Sequence, residues 1–162
     1  MASARADRRP LETVVEESEI LNALRLHGLN QLAARLTHLS VMIADDPDEP
    51  GLVIESLRSF AAFFLQEKRL PVPEIGADPQ GFLEAEWRIP ENGGSSPASD
   101  DPHWGCGDGI LAMKFLSTGL VQFFATSGPA GQGKEPLRIG GILPKKDIMS
   151  AVQPFVPRLT VP

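Results

Sequence analysis

Three groups of residues in this chain have the types and spacing to do chemistry. In His103-Trp104-Gly105-Cys106-Gly107-Asp108 a thiol lies close to an imidazole and a carboxylate, the parts of a cysteine nucleophile system. Neighbouring positions in sequence rarely bring such groups into productive geometry, and two ligands do not hold zinc. The plainer expectation is a loop cysteine whose Trp104 folds back onto the core. Glu84 and Glu86 stand two apart in an alternating segment and so share a strand face. Such a pair can serve acid–base catalysis if burial separates the two pKa values. A Glu-x-Glu-x-Arg face more commonly offers cross-strand ion pairs to solvent. Gly128-Pro129-Ala130-Gly131-Gln132-Gly133-Lys134 has the spacing of a phosphate-binding loop and follows a strand-like segment. That chemistry needs a metal-binding hydroxyl next and then a helix. Here Glu135 and Pro136 follow, and after them the strand-like Leu137 to Leu143, so a hairpin loop is expected.

Weaker clusters fail for similar reasons. Asp45, Asp46, Asp48 and Glu49 are crowded together, but without the ligand periodicity of a calcium loop. They read as a solvated turn in which Asp48 caps the next helix. His27 and His38 fall in separate helices with no further ligands nearby and read as surface or interface residues. Neither a cofactor nor a metal is expected. The weak catalytic candidates are Cys106, His103, Glu84 and Glu86.

The elements that must position these residues follow from hydrophobic period and punctuation. Residues 1–10 read as a disordered leader and 11–162 as one domain, with flexible loops at about 91–109 and 127–136. Thr13 and Glu16 form a capping-box pattern for a first helix that stops at Gly28. Asn30 can cap a second helix, with Leu32, Leu36, Leu39 and Ile43 at helical spacing. The strongest helical pattern runs from about Leu52 to Lys68. There Ile54, Leu57, Ala61 and Phe64 form a stripe widened by Val53, Phe60 and Phe63, while Glu55, Arg58, Ser59 and Gln66 fall mainly on the opposite face. Pro71 and Pro73 end that helix. Pro73 to Ala77 is expected as a short first strand, followed by a turn and the antiparallel strand Phe82 to Ile89. Ile110 to Leu116 and Leu120 to Thr126 make a hairpin across Ser117-Thr118-Gly119. Leu137 to Leu143 is an edge strand, and Pro144 opens a last helix with Ile148, Ala151, Val152 and Phe155 on one face. Lys145 and Lys146 in its first turn oppose the helix dipole. The fold class is α+β: N-terminal helices on one side of an antiparallel sheet of about four strands, then a C-terminal helix.

Composition narrows the partners. The chain has 162 residues, 42% hydrophobic and 22% charged, in the ordinary globular range. A net charge of −6 speaks against nucleic acid, whose binding rests on cations neutralising phosphates. No apolar run approaches a membrane span. With Cys106 as the single cysteine, no internal disulfide forms, and a reducing cytoplasmic address is expected.

Pro71-Val72-Pro73-Glu74-Ile75, a turn ending at Gly81 and a strand reaching Glu86-Trp87 together resemble a group of small bacterial proteins of unknown function. In that group a helix precedes a P-x-P-x-I, D-G, x-E-W segment and a small antiparallel sheet. The resemblance covers about residues 52–126. The chain departs from it with Gln80-Gly81 in place of Asp-Gly and with a long insert at Pro90 to Gly109. It implies a companion of another protein, of the antitoxin or immunity kind, and lends no catalytic residue. The expectation is therefore a non-catalytic protein-interaction module. The alternatives are a small enzyme using Cys106 or Glu84/Glu86, and a small-ligand-binding domain with a pocket using Trp87 and Phe124.

Overall fold

In a computed structural model, residues 16–90, 109–127 and 138–159 are described. Three helices come first: α1 (Glu17–Leu26), α2 (Asn30–Ala44) and α3 (Ile54–Gln66). Five strands follow: β1 (Glu74–Ala77), β2 (Leu83–Ile89), β3 (Gly109–Phe115), β4 (Leu120–Thr126) and β5 (Arg138–Pro144). A short helix, α4 (Ile148–Val152), lies between two 3₁₀ turns at Lys145–Asp147 and Val156–Arg158. The strands pair in sequence order as one antiparallel meander of five, so the class is α+β. The sheet has five strands where about four are expected from the sequence, and the short first strand read at Pro73 to Ala77 is present as Glu74–Ala77, paired with β2 along its whole length.

Strand alternation sorts the sheet into two faces. Leu83, Ala85, Trp87 and Ile89 of β2, Leu111, Met113 and Phe115 of β3, and Val121, Phe123 and Ala125 of β4 point inward and are buried. The helices cover this face. α3 is central because its aromatics meet the sheet: Phe60 packs edge-on to Phe115 at 5.0 Å and tilted on Phe64 at 4.7 Å. Phe64 lies 6.0 Å from the Trp87 ring, and the Trp87 indole Nε1 donates to Pro71 O at 2.8 Å. The chain leaving α3 is thus tied to the middle of the sheet by the polar tip of the largest core residue.

The turn between β1 and β2 has a local cause. Asp78 Oδ1 accepts from the amides of Gln80 and Phe82, an Asx-type turn. Gly81 has φ +84°, and a Cβ there would lie 2.4 Å from Gly51 O, so no side chain fits. Its own carbonyl accepts from Val53 N and docks the start of α3 against the turn.

Several boundaries differ from the sequence pattern. α3 is capped by Val53 without a side-chain bond, not by Asp48, whose amide instead donates to Asp46 Oδ1 within its own turn. Asn30 is the first residue of α2 and Leu29 its cap. Gly109, expected in a loop, opens β3: a Cβ there would lie 2.1 Å from Thr126 O, so the two strands approach closely at that point. Pro144 closes β5, and the last helix begins only at Ile148 after the 3₁₀ turn. Ser59 is buried, not solvent-facing; α3 packs against α1 as well as against β2 and β3, so more than one of its faces is covered. Thr13 and the proposed leader lie outside the described residues.

Candidate functional site

Of the residues singled out for chemistry, His103, Cys106 and the Gly128–Lys134 loop lie outside the described residues. Glu84 and Glu86 are described, on the outer face of β2, with Glu84 exposed and Glu86 half-buried. Register places Glu74 of β1 directly across from Glu86, a like-charge pair the sequence does not reveal. Burial first, and the charge of Glu74 second, hold the Glu86 carboxyl above its ordinary 4.5; Arg88 pulls it down and Glu84 adds to the rise. Lys114, opposite Glu84, reaches instead to Asp78, with which it forms an ion pair. Burial would raise the Asp78 carboxyl, but the Lys114 contact and the Phe82 and Gln80 amides outweigh it and hold it below 3.8. Among the described residues no group of three or more His, Cys, Asp or Glu side chains could hold a metal.

These carboxylates belong to a larger surface. Alternation directs Glu74 and Gly76 of β1, Glu84, Glu86 and Arg88 of β2, Ala112 and Lys114 of β3, Gln122 and Phe124 of β4, and Gly140 and Ile142 of β5 to the outer face. Cross-strand rows run Glu74–Glu86–Ala112–Phe124–Gly140 and Gly76–Glu84–Lys114–Gln122–Ile142. The face is acidic toward β1 and apolar toward β5. Phe124 is 49% exposed and Ile142 55%, large apolar side chains on a face that no described helix covers. A shallow groove of about 270 Å³ crosses it, lined by Glu84, Glu86, Ala112, Lys114, Gln122 and Phe124 among others.

Trp87 and Phe124 do not share a pocket. Trp87 is in register with Leu111, and Leu111 with Ala125, so Phe124 must point to the opposite side of the sheet. The ligand pocket expected between helix and sheet is filled by Phe60, Phe63, Phe64 and Phe115.

A second concavity, of about 780 Å³, is an open groove between α2 and β1 lined by Arg35, His38, Leu39, Met42, Glu74, Ile75 and Arg88 among others. Arg35 Nη1 donates to Pro73 O across it. Both His27 and His38 are exposed, and only His38 joins this groove.

No family model, curated protein or solved structure matches the chain. No helix among the described residues is long and apolar enough to cross a membrane.

Proposed function

We propose that this protein acts by binding another protein, without catalysis, through the outer face of its sheet. The observation that carries the reading is the exposure of Phe124 and Ile142 on a face that no described helix covers. Exposed apolar side chains beside a charged rim are the usual composition of a protein-binding patch. Glu74, Glu84 and Glu86 supply the rim on one side. The partner this favours presents an apolar side chain to Phe124 and Ile142 and a cation to the carboxylates. The role would be that of a cytoplasmic bacterial companion protein, of the antitoxin or immunity kind, in keeping with the resemblance over residues 52–126.

The carboxylates themselves support binding better than chemistry. Glu84 and Glu86 stand on an open surface, and the raised pKa of Glu86 has a structural cause in burial and Glu74. The test is affinity capture from the native host with the full chain and with Phe124→Asp. A stoichiometric protein retained by the wild type and lost by the variant supports the proposal. Equal retention by both places the binding surface elsewhere.

A further inference from the structure

A sheet that does not close leaves two edges, each a row of N–H and C=O groups able to pair with another chain. This molecule treats its two edges differently. The β1 edge is four residues long, follows Pro71 and Pro73, and carries Glu74. It also packs beside α2, whose Arg35 donates to Pro73 O. Shortness, proline, charge and cover are the devices that blunt an edge. The middle of β5 has none of them. This strand runs seven residues, Arg138–Pro144, with its one charge and its one proline at opposite ends. It pairs with β4 residue for residue, without a bulge, and among the described residues no strand pairs with its far side.

The hydrogen-bond phase shows which groups that far side presents. Lys145 N donates to Gly119 O at 3.2 Å, and these two residues stand opposite each other, one step beyond Leu120↔Pro144. They are a hydrogen-bonded pair, and such pairs alternate along an antiparallel ladder. Ile139, Gly141 and Leu143 therefore turn their N–H and C=O groups toward β4. Gly140 and Ile142 turn theirs to the open side.

We propose that this edge pairs with the same edge of a second copy, antiparallel about a two-fold axis through Gly141, joining two five-stranded sheets into one. An axis normal to the sheet keeps outer face with outer face, so each residue meets one of its own face. With the axis at Gly141, Gly140 stands opposite the second copy's Ile142, and both present backbone groups to each other. Phe124 already leans over Gly140, with Cδ2 3.4 Å from where a Cβ would stand. The second copy's Ile142 closes that row from the other side, so two exposed apolar side chains meet over a glycine. On the inner face half-buried Ile139 stands opposite the second copy's Leu143. Arg138 falls opposite Pro144, so no charge meets a charge within the ladder. The strand is thus its own complement: small against large outside, apolar against apolar inside, charge only at the ends. An axis through Gly140 or Ile142 would set glycine on glycine or isoleucine on isoleucine and lose this match. The proposal is independent of the outer-face reading, since the joined sheet still presents that face to a partner.

The test is the mass of the full chain in solution against concentration, by sedimentation equilibrium, with amide exchange as the local readout. The wild type should move from 17.5 kDa to twice that value as concentration rises. Over the same range the Gly140 and Ile142 amides should slow, while those of Ile139, Gly141 and Leu143, bonded to β4, stay protected throughout. Gly141→Lys sets two ammonium groups face to face across the axis. A Cβ at this position meets Phe123 Cε1 at 3.5 Å, an ordinary contact, so the strand itself tolerates the side chain. The variant should stay monomeric with fast Gly140 and Ile142 amides, and continued protection of Ile139 and Leu143 shows that it folds. Ile142→Lys, at a residue 55% exposed, is a second variant with the same expected mass. Capture of a host protein should be unaffected by Gly141→Lys, so this proposal and the outer-face reading fail separately. A wild type that stays monomeric at high concentration, Gly140 and Ile142 amides protected in the monomer, or folded variants that dimerise as the wild type does would overturn the proposal.

Discussion

Replacing Ser56 with alanine probes the junction on which α3 and the sheet depend. The β2–β3 register runs from Ile89↔Gly109 to Glu84↔Lys114, so the next step would set Leu83 opposite Phe115. The Ser56 hydroxyl stands at that step: it accepts from Leu83 N at 2.8 Å and donates to Phe115 O at 2.6 Å. It bridges two backbone groups that would otherwise bond to each other, and so locks the helix into the ladder. Ser56→Ala strands a buried amide and a buried carbonyl, each costing about 1–3 kcal/mol, for a total of about 2–6 kcal/mol. Partial closure of the strands would bring this to about 2–4 kcal/mol, since one re-formed bond satisfies both groups. With a urea m-value of about 2 kcal/mol/M, the middle of the usual range, the unfolding midpoint should fall by about 1–2 M at unchanged m. The same helix supplies the control: Ser59→Ala removes a buried hydroxyl that has no described partner, and it should be neutral or slightly stabilising. Equal effects of the two substitutions, or a loss below about 0.5 kcal/mol for Ser56→Ala, would refute the bridging role.

Two further perturbations follow from the sheet. With the folded pKa of Glu86 above 4.5, the native chain takes up that proton before the unfolded chain does, so stability should rise as pH falls from neutral toward 4.5. Asp78 acts oppositely: its folded pKa lies below 3.8, so its contribution is present above that value and is lost as pH falls through the folded pKa. In Glu86→Gln the rise toward pH 4.5 should vanish, and stability near neutral pH should increase by about 0.2–1 kcal/mol through relief of the Glu74–Glu86 repulsion; urea midpoints across the pH range check both points. Trp87→Phe should lower the melting temperature by removing the 2.8 Å bond to Pro71 O and part of the ring packed on Phe64, a loss of about 1–3 kcal/mol from the carbonyl alone. An unchanged melting temperature would mean that the segment after α3 is held by something other than the indole.

Alternation along each strand makes the two sheet faces legible in the sequence: Trp87 inward, Glu84 and Glu86 outward, and Phe124 out of phase with Val121, Phe123 and Ala125. The three aromatic residues of α3 likewise point to a helix that needs a sheet. Register is not legible, because pairing depends on turn geometry and on both strands at once. The Glu74–Glu86 opposition and the apolar drift of the outer face toward β5 therefore emerge only from the fold. Ser59 departs from its expected exposure for a related reason. Helical periodicity assigns one buried face, whereas α3 is contacted on several sides, so a residue opposite the stripe can still be buried. A shared Trp87–Phe124 pocket does not form, and two residues on different strands cannot be assigned to one face until the register between the strands is known.

The most direct test of the outer-face account is amide hydrogen exchange on the full chain, alone and with the protein captured from its host. The account predicts added protection on β4 and β5 around Gln122, Phe124 and Ile142, with α2 unchanged. Protection confined to α2 and β1, at the groove of Arg35, His38 and Met42, would contradict it.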